Sequence, residues 1–343
     1  MKRTHKNLNN KIVTVIGAYG HTGKFVIAEL LKEGFIPVLA GRNKEKLQEI
    51  GKKYPNLEIR HISIDNPQNL DNAVNNSFAI INCAGPFLDT AMSIIECALR
   101  NNIHYLDMTA EQQCVISIYE QFAKRARKER IVILPAMAFF GGLADLLATS
   151  LMDKLVAADT INISVALDNW MPTLGTRKTG SRNIYPRFTY RNKKLIEVPT
   201  IKPKRMWQFS EPFGSLEVES FPLTEIITIS KHLNVNEINT YMNLAPLMDI
   251  RNPETPTPVA TKENGLSSQV FIMEVEACSN KKTNKIVASG IDIYGITAPL
   301  IVEALIRIEQ GLFKEVGVVS AGETFDSSDF LDSLATKGFL DIK

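Results

Sequence analysis

Apolar and polar positions in the first 150 residues alternate between two periods. Ile12 to Ile16, Ile36 to Ala40 and Phe78 to Asn82 are nearly continuous apolar runs, the character of strands buried on both faces of a parallel sheet. Between them, Lys24 to Glu33 and Lys44 to about Lys53 are amphipathic and predict helices. Leu57 to Ile64 alternates as a third strand that ends at Asp65, and Pro67 opens a helix to about Asn76. Ala91 to Arg100 reads as a helix, Ile103 to Leu106 as a strand, Gln112 to Lys128 as a long helix and Ile131 to Leu134 as a sixth strand. Parallel strands need crossovers, and crossovers cover both faces, so this alternation predicts a doubly wound parallel sheet.

From about Thr160 the pattern changes to short alternating runs: Thr160 to Leu167, Glu225 to Ile229 and Gln269 to Ala277, separated by turn-forming residues. They predict a second unit built on a mixed or antiparallel sheet. Thr297 to Gln310 returns to helical periodicity, with Gly311 placed to stop it, and such a helix can fold back onto the first unit.

Composition narrows the class of protein. Among 343 residues, 39 Lys and Arg nearly balance 37 Asp and Glu, leaving +2, so no global field recommends nucleic acid or an anionic membrane as partner. The basic cluster Lys124 to Arg130 reads as the solvated C-terminus of a helix. Cys83, Cys97, Cys114 and Cys278 have neither CxxC spacing nor a nearby His, the usage of a reduced cytoplasmic protein. Met1 to Lys11 is polar and reads as a short disordered lead, not a signal peptide. The apolar stretch Ile131 to Met152 is interrupted by Pro135, Gly141, Gly142 and Asp145, so it reads as strand, glycine turn and core helix, with no integral membrane segment.

The chemistry begins where the first strand breaks into Gly17, Gly20 and Gly23. A diphosphate can approach the backbone only where Cβ is missing, and the N–H groups opening the next helix then receive it. The first spacing is Gly-x-x-Gly, so strand and helix context must carry the inference over an ordinary glycine-rich turn. Tyr19, His21 and Thr22 lie between these glycines and count with them as cofactor contacts. After the second strand stands Arg42, with no acid before Glu45, which favours the 2′-phosphate of NADP over NAD. Asp65 either caps the next helix or sits near the adenine. Ala84, Gly85 and Pro86 end the fourth strand, where ligands bind in such sheets, and their backbone lines the nicotinamide side.

General acid–base candidates follow the fifth strand: Tyr105, Asp107 and Glu111, with His104 beside them. The same residues also spell a helix start, with Asp107 or Thr109 as cap. Tyr190 and Lys194 have the Tyr-x-x-x-Lys spacing of a proton relay, but their surroundings read as strand, turn and strand, which denies them a common helical face. Trp170 to Arg187 is a loop-like stretch rich in Arg and Thr. It is either a substrate lid binding an anionic group through Arg177 or Arg182, or a surface or dimer-interface loop.

VIGAYGHTGK, AGRNKEKL, INCAGPF, HYLDMTAE and PAMAFFGGLADLLA together resemble the saccharopine dehydrogenase-like oxidoreductases, a family with trans-acting enoyl reductase-like members. The resemblance covers roughly the first 150 residues, and Asp292 to Gly295 more loosely. It implies an α/β fold in which a Rossmann-like NADP-binding domain, residues 1–146 and 291–343, holds an inserted α+β domain, residues 147–290, for substrate and homodimer formation. Ala136 to Gly142 departs from the family's Gly-Phe-Asp-Ser-x-Pro-like turn, leaving Asp145 as the recognisable acid. The expected activity is hydride transfer between NADP and a C=C, C=O or C=N bond of a small-molecule substrate, with a non-catalytic NADP-binding sensor or scaffold as the alternative.

Overall fold

The computed structural model describes residues 11–153 and 155–343. The expectation for the N-terminal lead lies, except for Lys11, outside these residues. The first unit runs β1 (Ile12–Ile16), α1 (His21–Lys32), β2 (Ile36–Gly41), α2 (Lys44–Lys53), β3 (Ile59–His61), α3 (Pro67–Ala73), β4 (Ala79–Asn82) and α4 (Phe87–Asn101). It continues through β5 (His104–Asp107), α5 (Gln112–Glu129), β6 (Val132–Leu134), one π-helical turn (Phe139–Leu143) and α6 (Ala144–Met152). The second comprises β7 (Ala158–Leu167), α7 (Leu174–Arg182), β8 (Phe188–Arg191), β9 (Lys194–Glu197), β10 (Lys204–Gln208), β11 (Ser215–Ser220) and α8 (Glu225–His232). It ends with β12 (Val235–Asn243), α9 (Leu244–Arg251), β13 (Val270–Ser279) and β14 (Lys282–Ile291). The chain closes with α10 (Thr297–Gln310), β15 (Gly317–Val318), α11 (Ala321–Thr324), α12 (Ser327–Thr336) and β16 (Asp341–Ile342).

Among the described residues the first sheet has seven strands in the order β15-β6-β5-β4-β1-β2-β3, all parallel. The order reverses between β1 and β4, and such a switch point opens a crevice at the carboxyl ends of the strands. Thr14 is the polar exception in an otherwise apolar β1, and its buried hydroxyl is satisfied by Ala73 O at 3.2 Å and Ser77 Oγ at 2.7 Å. One face of the sheet is covered by α3, α4 and α5. On the other, α1 packs against α10, and the apolar core runs on through α6 to the second sheet. That sheet follows β10-β11-β12-β7-β13-β14-β16, parallel only between β12 and β7, with β8 and β9 pairing at its side. The chain crosses between the sheets at its end: β15 joins the first, and β16 pairs with β14 in the second.

Gly311 stops α10 with φ of 74°, a left-handed conformation that suits glycine. Tyr190 and Lys194 flank the turn of the β8–β9 hairpin, as their sequence surroundings require. Three expectations are corrected. Glu225 to Ile229 begins the helix α8: its β-branched residues favour a strand locally, but Ile226, Ile227 and Ile229 all bury as one turn of helix against the core. Trp170 to Arg187 contains α7, capped by the Thr173 hydroxyl, which accepts from Thr176 N at 3.0 Å. Asn66, not Asp65, caps α3, accepting from Asn69 N at 3.0 Å, while Asp65 is exposed. Among the described residues no helix is long and apolar enough to cross a membrane.

Asp145 fastens the second unit to the first. Its buried carboxylate accepts from Gly322 N at 3.0 Å and lies 2.7 Å from Nε2 of His232, at the end of α8. Burial by itself lowers the pKa of His232, but the charge of Asp145, the hydrogen bond to it and the charge of Glu323 together raise it. A raised folded pKa means stability present in full below the ordinary value of 6.5 and lost as pH rises through the folded pKa. The stability gap between wild type and His232→Gln is therefore expected to be wider in urea unfolding at about pH 5.5 than at about pH 8.5. An equal gap at both would remove the charged pair from the account.

Candidate functional site

The three glycines make a cradle at the switch point. Gly17 leaves β1 with φ of +84°, and its N–H donates to Ala40 O at 2.9 Å. A Cβ there would lie 2.8 Å from the carbonyl carbon of Cys83 in the turn after β4. A Cβ on Gly23 would lie 2.6 Å from Gly17 O, so α1 approaches the turn as closely as a backbone can. Gly20 caps α1 without a side chain, and no acidic residue occupies the first turn. The partial positive charge of that helix end is thus left for an external anion, which fits the diphosphate of a dinucleotide.

The two ends of the site differ in chemistry. At the end of β2, the Tyr19 ring lies so close to Gly41 that a Cβ on that glycine would come within 2.5 Å of it. Lys46 Nζ stands 6.0 Å from the same ring, and the Arg42 side chain is exposed beside them. Lys46 is a residue that sequence reasoning missed: it sits in the first turn of α2, and its ammonium faces the Tyr19 ring at this end. At the end of β4, Ala84 N donates to Asn82 Oδ1 at 3.0 Å, and the Thr90 hydroxyl donates to Ala84 O at 2.8 Å, which hold the Ala84-Gly85-Pro86 turn from below. The second unit covers this turn: a Cβ on Gly85 would lie 3.2 Å from Oγ1 of Thr179 in α7.

His21 opens α1 on the side facing the second unit. Its ring is set edge-on between Phe25, at 5.3 Å, and Tyr294, at 5.4 Å. The Tyr294 hydroxyl in turn meets Trp170 Nε1 and Thr176 Oγ1, both at 2.9 Å. Nε2 of His21 is buried with no hydrogen-bond partner among the described residues. Burial, opposed by Asp292 and helped by Lys24, lowers its pKa, so the ring stands neutral beside the phosphate cradle.

The acid–base candidates lie buried beneath the Gly85-Pro86 turn. Tyr105, Asp107 and Glu111 have no exposed surface. Asp107 accepts the Tyr105 hydroxyl at 2.8 Å, Thr109 N at 2.9 Å and Ala136 N at 2.8 Å. Burial raises its pKa to about 6, against the pull of those three donors. Glu111 accepts Phe87 N at 2.7 Å and Leu88 N at 3.0 Å, capping α4 immediately after the Gly85-Pro86 turn. Donors from the Tyr105 hydroxyl and the backbone already occupy the carboxylate oxygens of Asp107 and Glu111, beneath the site. The lid arginines are also engaged. Arg177 donates to the carbonyls of Asn252 and Thr255, at 3.1 and 2.6 Å, and Arg182 pairs with Asp89 in the first turn of α4 at 3.0 Å.

Residues 13–132 match the protein family described as the saccharopine dehydrogenase NADP binding domain. The saccharopine dehydrogenase-like oxidoreductase of Bos taurus is 27% identical over 152 residues, 39% of this chain and 35% of that protein. The lipid droplet localized protein of Caenorhabditis elegans is 24% identical over 146 residues, 39% of this chain and 34% of its own length. The chain thus spans about a third of the length of these curated relatives. The apo saccharopine dehydrogenase (L-Glu forming) of Saccharomyces cerevisiae superposes with a TM-score of 0.68 at 9% identity, over 97% of this chain and 99% of that one, a likeness of fold. Residues 13–132, which carry the switch point of the parallel sheet, are thus similar to the saccharopine dehydrogenase NADP binding domain.

Proposed function

We propose that the protein transfers a hydride between NADP and a C=C, C=O or C=N bond of a small organic substrate held between the two sheets. The observation that carries this reading is the cradle of Gly17, Gly20 and Gly23, where backbone contacts exclude any side chain and the end of α1 is left uncapped. NADP, when bound, supplies or takes the hydride. The protein's share is binding and orientation: α1 receives the diphosphate, Arg42 and Lys46 the 2′-phosphate, and the turn held by Asn82, Thr90 and Glu111 sets one wall for the nicotinamide. Thr179 and α7 exclude water from above that turn.

Titration of the purified protein with NADPH and NADH tests the reading. NADPH is expected to bind more tightly; equal affinities, or no binding of either, would overturn it. Arg42→Ala is expected to weaken NADPH by about 1.5–3 kcal/mol, the range for a hydrogen bond to a charged group, and to leave NADH unchanged. A second reading, a non-catalytic NADP-binding sensor or scaffold, draws on the burial of Tyr105, Asp107 and Glu111. NADPH that binds but is oxidised by no carbonyl, imine or enoyl compound would favour it.

A further inference from the structure

Of the arginines in and after the α7 segment, Arg177 and Arg182 are committed to protein partners, and Arg187 is not. Among the described residues its guanidinium forms no ion pair within 4.0 Å and no hydrogen bond. It lies 4.7 Å over the ring of Phe221 and is only partly exposed. Glu225, the acid whose charge reaches it, is buried and pushed up to about 7 by that burial. Two further cations converge from distant segments. Lys202 and Arg251 both meet the single carboxylate of Glu219, and their side chains are 34% and 52% exposed. Burial and the charge of Arg187 hold Lys202 below its ordinary pKa. Lys202 and Arg251 thus share the Glu219 carboxylate, and Arg187, whose charge reaches both of them, adds a cation in a partly desolvated place.

The position of Arg187 ties it to the dinucleotide site. The neighbouring Phe188 is clamped by Gln112, whose side chain accepts Phe188 N at 2.7 Å and donates to Phe188 O at 2.8 Å. Gln112 follows Glu111, which holds the start of α4 at the Gly85-Pro86 turn. From Arg187 an aromatic wall runs back to the cradle: Phe221 lies 6.1 Å from Trp170, and Trp170 Nε1 donates to the hydroxyl of Tyr294, which packs on His21.

We propose that Arg187, with Lys202 and Arg251 at the solvent side, binds the oxyanion of the substrate, a carboxylate or phosphate. This deepens the dinucleotide reading and rests on it. Arg187 presents a planar fork that pairs with two oxygens at once, its apolar stem and ring partner exclude water, and the more exposed cations draw the anion in.

The test uses the full chain, with 3-phenylpropionate, phenyl phosphate and the neutral 3-phenylpropanamide as probes, each titrated by calorimetry with and without saturating NADP. At least one oxyanion is expected to bind roughly tenfold more tightly than the amide, the tighter one naming the class. Arg187→Met, which keeps the apolar stem on Phe221, is expected to lose roughly tenfold for that oxyanion while NADPH affinity stays within about twofold. If Arg187→Met lowers Tm sharply, Lys202→Met and Arg251→Gln carry the test, each expected to weaken the oxyanion about threefold. An amide that binds as well as the acids, no binding of either oxyanion at millimolar concentration, or oxyanion affinity unmoved in the folded variants overturns the assignment. Failure of the wild type to bind NADPH would instead overturn the dinucleotide reading, since the oxyanion titration without NADP reads independently.

Discussion

Gly17→Ala is expected to abolish measurable NADPH binding, a loss of about 100-fold or more, and to destabilise the fold by roughly 2–5 kcal/mol. Two penalties coincide at this residue. Its φ of +84° disfavours any side chain, worth about 1–2 kcal/mol. The added Cβ would also stand 2.8 Å from the carbonyl carbon of Cys83 and 2.9 Å from Ala84 N, both backbone atoms that cannot rotate away. Relief must separate the turn after β1 from the turn after β4, the two walls between which the dinucleotide would lie, and a shift of about 1 Å there is enough to spoil its contacts. Gly34→Ala supplies the control: φ is +78°, yet no atom of the described residues lies within 4 Å of the new Cβ. It should show the backbone penalty alone and bind NADPH as wild type does. Fluorescence titration of NADPH beside urea unfolding of both variants checks the pair. A folded Gly17→Ala protein with wild-type affinity would refute the cradle.

Asp107→Ala is expected to destabilise the protein by about 3–5 kcal/mol at neutral pH. Truncation leaves the Tyr105 hydroxyl, Thr109 N and Ala136 N without an acceptor in a place where none of them can reach water, at about 1–3 kcal/mol for each orphaned donor. Asp107→Asn keeps the volume but turns an N–H₂ toward donors, and should fall between the variant and wild type. The effect carries a pH signature. Burial raises the folded pKa of Asp107 from 3.8 to about 6, so in that window the native state binds more protons than the unfolded chain, and the residue's contribution to stability falls as pH rises. Lowering pH from about 7.5 to about 4.5 should therefore widen the gap between wild type and Asp107→Ala by on the order of 2 kcal/mol. A gap that narrows instead would mean the carboxylate is held ionised in the fold. The network reaches the site through Asn82, whose Nδ2 donates to the Tyr105 hydroxyl and to Thr90 Oγ1, both at 3.2 Å, so the variant should also weaken NADPH.

The amino-acid sequence by itself determined the parallel sheet, the glycine cradle and the ends of several helices. Short continuous apolar runs that alternate with amphipathic segments fit strands buried on both faces of a parallel sheet. Asn43 caps the helix that begins at Lys44, and Gly311 ends the one that begins at Thr297, because caps and left-handed turns are decided by a few adjacent residues. Tertiary structure alone decided the rest. Asp107 and Glu111 stand where a proton relay would, yet the donors that claim them come from Ala136 and from Phe87 and Leu88, 29, 24 and 23 positions away. Ile226, Ile227 and Ile229 favour a strand locally and become a helix because the core offers them one face. Among the lid arginines the same chemistry recurs at Arg177, Arg182 and Arg187, and only folding shows which are spent: Asp89 lies 93 positions from Arg182 and Thr255 lies 78 from Arg177. Short-range pattern selects elements because backbone preference and periodicity are local. The partner of a charge is not local, so which charges remain for a ligand is settled when distant segments meet.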